Sequence, residues 1–506
     1  MIELQKYEGT RQFIMEIQNR AIYVLLGYKI LEINMSTDLF KKIEQCRKEE
    51  RWYEILAIVS EELIREQNLE GQISLYNERG ISNGKLGNFE AQIFDITKMI
   101  LLDNTNPWAY CCRGDAFREI KKYDLAKKDF YYALKLQPDY ASAHLDLGVI
   151  LNDEKDYDEA TKHLNLIINH PNPEIKGRAH ANLGNTYYYK KEYNNSVLHF
   201  SKAIELISNA HFFRGRGASF FELKKIDEAI SDFQYIIDIL KLGEAQDYVN
   251  LGILRTEKKE FEKAIEAYEI ALKLDNKNIT ALLNAGWIWI EKKDYSKAIE
   301  YYNKGIALGE ALEKFYCSRG LAFQYSNFLD RAEKDYNKAE EINPNYEYIF
   351  LNRGVLLTER NKFQDAEKNF NRALEINNEL PTIYNNRGRL WMKLNEYQLA
   401  KKDFYSALEQ NLEDDDAHFN LSKIYSELEE YDIALSEAKK ALGTLPLIGY
   451  NMLGVIHFNC GNYSEAVENY TLSLSYDSKQ SLPLYNRAEA YRMIGEKGKA
   501  LVDYGE

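Results

Sequence analysis

Residues able to do chemistry are plentiful in this chain, but their spacing does not assemble a reaction centre. Gly80–Lys85 (GISNGK) is one residue shorter than the G-x-x-x-x-G-K phosphate loop and lacks the following Ser or Thr. Gly215, Arg216 and Gly217 make only half of a dinucleotide fingerprint. The 8 histidines form no HExxH motif. His163 and His170 could share a helix face, but no third ligand accompanies them, so a metal site is not expected. His144, His180 and His418 recur where aromatic residues stand elsewhere, which reads as packing. Cys111 and Cys112 would point in different directions from a helix, with no base and orienting group beside them. The expectation is a chain with no catalytic residue, no cofactor and no metal: not an enzyme.

The elements behind these residues are bounded by composition. Of 506 residues, 45% are hydrophobic and 28% charged, which is too apolar for disorder. Only 8 prolines and 27 glycines leave little room for turns, so helices fit best. Lys plus Arg is 65 against 79 Asp plus Glu, a net charge of −14 that counts against general nucleic-acid binding. The start, MIELQKYEGTRQF, has no apolar signal core. The nearby apolar run Ala21–Tyr28 falls well short of the roughly 20 residues a spanning helix needs, so no membrane insertion is expected. Five cysteines without a CxxC suggest a reducing, cytoplasmic setting.

Rows of about 34 residues align the chain. They begin at Ile73, Pro107, Ala141, Gly177, Ala210, Ala245, Ile279, Glu313, Glu347, Pro381, Asp415, Leu447 and Ser481. The eighth place is Gly in eleven of these thirteen rows, with Ser422 and Ala488 in the others. The twentieth is Ala in eleven, from Ala126 to Ala500. The twenty-fourth is usually Phe or Tyr, as in Phe130, Tyr268 and Phe404. Pro138, Pro344 and Pro446 follow second helices, and Pro107 and Pro381 open rows, where a first-turn proline costs no helix hydrogen bond. Each row therefore reads as two helices that approach closely at small residues, with an aromatic ring filling the gap.

The pattern over residues 73–506 resembles the tetratricopeptide repeat, a helix–turn–helix unit. The resemblance implies an all-α, right-handed superhelical solenoid of antiparallel helix pairs, here thirteen units with the last incomplete. It departs from the usual form in placing Tyr or Phe at the fourth position (Tyr110, Phe213, Tyr316, Tyr384) instead of Trp. Residues 1–72 fit the columns poorly. Arg11–Asn34 reads as a capping helix, and Asp38–Glu70, with Trp52 and Tyr53, as a degenerate first repeat.

A second pattern runs through the seventh place. Seven rows carry Arg there, and six of those carry Asp at the twenty-third, including Arg113 with Asp129, Arg216 with Asp232, Arg319 with Asp335 and Arg387 with Asp403. The seventh pairs Arg353 with Asn369, and no row without the Arg has the Asp. The co-occurrence predicts contact across the helix pair. One reading is a phosphate or carboxylate site built from arginines. The simpler one is a partly buried ion pair that fixes register, since each Arg has a partner in its own row.

In the family, first helices line a concave face, and the resemblance implies that their fifth, sixth and ninth places look into it. The sixth place holds Asn182, Asn250, Asn284, Asn352, Asn386, Asn420 and Asn486. A carboxamide offers donor and acceptor together and can pair with a peptide backbone whatever its side chains. The column is similar to the asparagine ladder of the superhelical portion of O-GlcNAc transferase. Flanking places add an apolar strip, Val249, Ile253, Leu283, Trp287, Cys317, Leu321, Leu351 and Val355, with Glu257, Glu291 and Glu359 as an acidic rim. An extended partner segment alternating apolar and basic residues would suit it. Trp287 is expected to be exposed, and Trp289 and Trp391 to be core. The basic clamp of chaperone-tail-binding members is not expected, because Asn185 is present but the fifth place is Ala181.

The leading expectation is a non-catalytic scaffold that binds extended segments of partner proteins along its groove. The alternatives are a regulatory or substrate-recruiting arm of a larger enzyme, or a permanent structural subunit. The chain stops two residues past Tyr504, in the middle of a second helix, which suggests continuation of the natural chain or a partner that caps this end.

Overall fold

A computed structural model describes residues 37–66, 68–443 and 446–505. These residues form 28 α-helices and no strand, so the chain is all-α. The capping helix expected over Arg11–Asn34 lies outside the described residues. The described chain opens with the helices Thr37–Lys48 and Trp52–Arg65, which bury Ile43, Cys46, Ile55 and Val59 against Leu75.

The row at Pro107 shows why each row folds as a helix pair. Asn106 caps the first helix, Pro107–Glu119, by accepting from the Trp108 N–H, and Pro107 sits in the first turn. Lys121 ends the helix in the left-handed region at φ 59°. That lets the Lys122 N–H donate to the Phe117 carbonyl and the Lys121 N–H to the Arg118 carbonyl, both at 2.8 Å. The second helix, Tyr123–Leu136, then runs back along the first. The fifteenth place has positive φ in every row, at Gly87, Lys121, Lys155, Lys191, Lys224, Lys259, Lys293, Asn327, Asn361, Asn395, Glu429, Gly461 and Gly495.

The two helices touch where the sequence placed small residues. A Cβ on Gly114 would come 2.7 Å from the Phe130 ring, and one on Gly252 would come 2.5 Å from Tyr268. Both rings are fully buried. In the row at Asp415 the extra atoms of Ser422 are matched by Ala438 at the ring position, both fully buried. Where Ala488 replaces the glycine, Tyr504 stands 42% exposed.

The chain divides into two compact units, Met1–Ala281 and Leu282–Glu506. Within each, a second helix packs on the first helix of the following row, and first helices also touch one another from row to row. First helices therefore make the inner layer of each unit and second helices the outer. The core of the first unit includes Trp108, Phe130, Leu147 and Ile150; that of the second includes Tyr336, Phe350, Phe370 and Leu390. The second helix of the row at Ala210 ends in a π turn, Ile236–Leu240, which absorbs an extra residue. Among the described residues no helix is long and apolar enough to cross a membrane.

Candidate functional site

The Arg and Asp columns meet as two-pronged forks. Arg113 Nε and Nη2 donate to the two carboxylate oxygens of Asp129 at 2.7 and 2.8 Å. The same fork joins Arg216 to Asp232, Arg319 to Asp335 and Arg387 to Asp403, with distances of 2.6–2.9 Å. The remaining Nη1 crosses to the second helix of the preceding row: Arg113 to Thr97 at 3.2 Å, Arg216 to Ser201 at 3.2 Å, Arg319 to Asn303 at 2.6 Å and Arg387 to Asn371 at 2.6 Å. Each arginine thus ties its own helix pair together and pins it to the row before. Trp391 Nε1 donates to the Asp403 carboxylate at 3.0 Å, so this ring is half-buried with a polar duty instead of closed in the core. Burial pushes the Asp232 carboxyl up even though Arg216 pulls it down, so desolvation outweighs the ion pair there. With their acceptors supplied from within the chain, these arginines act as register-fixing groups.

Three rows without the Arg use histidine at another register. His144 Nε2 lies 3.0 Å from the Pro138 carbonyl and so carries its hydrogen there. Its Nδ1 then accepts from His163 Nδ1 at 2.9 Å. His180 and His199 repeat the contact at 3.1 Å, and His418 faces Glu437 at 2.6 Å. The fourth place therefore pairs with the twenty-third, nineteen residues on. His163 turns to His144, whereas His170 Nδ1 accepts from the Asn172 N–H in a loop. Among the described residues no three His, Cys, Asp or Glu side chains converge as a metal site. Periodicity missed both the histidine pairs and the polar twenty-fifth place, which holds Thr97, Ser201, Asn303 and Asn371, because each becomes visible only when two columns or two rows are read against each other.

The inner layer departs from the expected open strip. Val249 and Ile253 are fully buried, and Leu351 and Cys317 are 4% and 3% exposed, so these four offer no open apolar surface. First helices in contact from row to row leave less inner surface than helical period alone implies. Asn182 and Asn420 are also buried, and Asn420 donates to the Asp416 carbonyl of its own helix at 2.8 Å. Asn250 in the first unit is half-buried and accepts from Gln246 at 3.1 Å.

In the second unit Asn284, Asn352 and Asn386 are half-buried, as are Leu283, Leu321 and Val355. Asn352 Nδ2 rests 3.4 Å from Cys317 Sγ, and Asn386 Nδ2 donates to the Thr382 carbonyl at 2.8 Å. Asn486 Nδ2 lies 3.3 Å from Asn451 Oδ1. Trp287 is 39% exposed. Trp289 is half-buried, with the Lys297 ammonium 3.9 Å from its ring centroid.

Family models described as tetratricopeptide repeat match residues 113–172, 250–311 and 317–381, and again 177–209 and 449–480. Tetratricopeptide repeat protein 6 of Homo sapiens is 24% identical over 42% of this chain and 41% of its own length. The Hsp70-Hsp90 organizing protein of Triticum aestivum is 27% identical over 40% of this chain and 41% of its own length. The TPR repeat-containing protein MJ1428 of Methanocaldococcus jannaschii is 25% identical over 56% of this chain and 51% of its own length. The chain thus spans about half or less of these relatives. Among solved structures, yeast Tom70 is 18% identical with a TM-score of 0.45, covering 85% of this chain and 96% of that one. The APC/C Cut9-Hcn1 structure is 12% identical with a TM-score of 0.44, covering 88% and 94%. From its repeat columns, its helix pairs and the matching family models, the chain belongs to the tetratricopeptide repeat family.

Proposed function

We propose that this protein is a non-catalytic scaffold that holds an extended segment of a partner protein along the first-helix face of its second unit. The observation that carries the reading is Trp287, a large aromatic side chain left 39% exposed beside half-buried Leu283 on an inner layer that is otherwise largely covered. Exposed aromatic anchors flanked by apolar side chains are what interface hot spots are made of. Asn284, Asn352 and Asn386, at the same place in their rows, add carboxamides for a peptide backbone. The wheat relative is by its name an organizer of two other proteins, which agrees with a binding role.

Changing Asn284, Asn352 and Asn386 together to Ala tests the reading by partner capture beside thermal melts. Each backbone contact is worth about 0.5–1.5 kcal/mol, so capture should weaken by about tenfold or more with the fold intact. Unaltered capture by this variant and by Trp287→Ala would place the interaction elsewhere.

A further inference from the structure

We propose that residues 11–34 of this chain lie as a helix along the first-helix face of the first unit, filling it from the row at Ile73 to the row at Ala210. This occupant is separate from the partner face proposed above, and either can stand without the other.

The second and sixth places of successive first helices carry the inference, since residues four apart share one stripe of a helix. In the five rows from Ile73 to Ala210 the second places are Ser74, Trp108, Ser142, Arg178 and His211, and each is 9% exposed or less. The sixth places Glu78, Cys112, Asp146 and Asn182 are covered to the same degree, and Gly215 is buried. From the row at Ala245 onward the same stripe opens. Its second places are half-buried at Gln246, Thr280 and Tyr348 and exposed at Lys314, Thr382 and Asp416. Its sixth places are half-buried in every row except at Asn420 and Met452. First helices touch from row to row in both units, so neighbouring rows alone do not close one stretch and leave the next open.

The covered stretch is also polar. Ser74 Oγ, both amide atoms of Asn77 and Trp108 Nε1 are buried without a hydrogen-bond partner among the described residues. Buried groups of this kind are almost always answered, so the cover has to bring donors and acceptors of its own.

Elimination within the chain names the cover. The helices Thr37–Lys48 and Trp52–Arg65 pack at the first row, where Arg47 pairs with Glu78 of Leu69–Lys85. Ser142, Arg178 and His211, two to four rows on, are left to another segment. Outside the described residues the chain has 1–36, 67, 444–445 and 506, and only the first of these is long enough to cover several rows. Its stretch Arg11–Asn34, read as a helix, is about 36 Å long at 1.5 Å per residue. Five rows at roughly 8–10 Å between neighbours span about 32–40 Å. Met15, Tyr23, Val24 and Leu25 fall on four different sides of such a helix, and a helix that is apolar all round is a buried one. Over the end of the stack it would meet one row and leave its other sides in water. Gln18 and Asn19 supply amides for the unanswered groups. Only Met35 and Ser36 separate the stretch from Thr37, so it enters the face at the row where the cover begins.

Two measurements on the full chain test the proposal. In the first, Tyr23 is replaced by photoreactive p-benzoylphenylalanine, one aromatic side chain for another. Irradiation should give crosslinks within one chain that map to Pro107–Glu119, Ala141–Asp153 or Pro173–Tyr189. Crosslinks confined to residues 37–65, to second helices or to a second copy of the chain overturn the proposal, as does the absence of any crosslink. In the second, Ser142→Cys and Thr382→Cys report the same place in a covered and an open row. The first site should react with a maleimide at least about tenfold more slowly than the second. Adding Val24→Glu with Leu25→Glu, charges that a buried helix does not tolerate, should speed the first site about tenfold and leave the second unchanged, with helicity retained. Equal rates at the two sites, or a slow first site that the added charges do not accelerate, show that no such cover exists and overturn the proposal. Acceleration at both sites reports unfolding, and the crosslink map then decides.

Discussion

Arg353 Nη2 lies 2.7 Å from Glu340, in the second helix of the preceding row, instead of forming a fork with the residue sixteen positions on. That residue is Asn369, whose Nδ2 donates to the Asp365 carbonyl of its own helix. Arg353 Nε is left buried without a hydrogen-bond partner. The arginine keeps its place without the aspartate because the preceding row also supplies Asn337, 3.0 Å from Nη2.

Asn369→Asp should therefore restore the fork and satisfy Nε. A hydrogen bond to a charged group is worth about 1.5–3 kcal/mol, and partial loss of the Glu340 contact reduces the gain to about 1 kcal/mol. Hydrogen exchange across residues 347–376 should slow. Faster exchange there would mean that the row is built for Asn.

Arg113→Leu should be costly, because Asp129 is only 5% exposed and would be left unpaired. A broken buried pair costs about 3–5 kcal/mol. Adding Asp129→His removes the stranded charge but places an imidazole opposite Tyr110. A further Tyr110→His recreates the arrangement of His144 with His163 and should recover more of the loss. Equal stability of the double and triple variants would remove the case for a second pairing register.

Acidification should loosen the first unit around its histidines. Burial holds His180, His199 and His211 down to about 4, from an ordinary 6.5, and lowers His144 and His163 in the same direction. Between these values the unfolded chain binds more protons than the folded one, so stability falls as pH drops from 6.5 towards 4 and is full above 6.5. Exchange of amides in residues 141–206 should accelerate over that range, and His180→Phe with His199→Leu should flatten the response. Slower exchange on acidification would contradict the buried neutral pairs.

Lys259 has φ 58°, in the left-handed region that costs an L-residue roughly 1–2 kcal/mol. Lys259→Gly should stabilise its row by about 1 kcal/mol less the extra chain entropy of glycine, and Lys259→Val should destabilise it. The order of the two melting temperatures is the check, and a more stable Val variant would exclude a strained turn.

The period of the sequence carried the helix pairs because the contact of Gly252 on Tyr268 demands small and aromatic residues at fixed offsets. Arg113 and Asp129 were legible for the same reason: a charge needs its partner, so the two columns vary together. The turn at Lys259 was not legible, since lysine carries no mark of positive φ as Gly87 does. Nor was the contact of Arg319 with Asn303, which couples one row to the next. Val249 and Ile253 show the remaining limit: helical period says which way a side chain points but not how near the adjoining rows come, and here they close over it.

The central claim is that a partner segment lies on the first-helix face of the second unit. Its most direct test is site-specific photo-crosslinking, with the reactive side chain placed at Trp287 on the inner layer or at Tyr405, which is 43% exposed on a second helix. Position 287 should yield crosslinks that map to one short segment of the partner and that fade when Asn284, Asn352 and Asn386 are changed to Ala, while position 405 yields none. Crosslinks from position 405 with none from 287 would contradict the account.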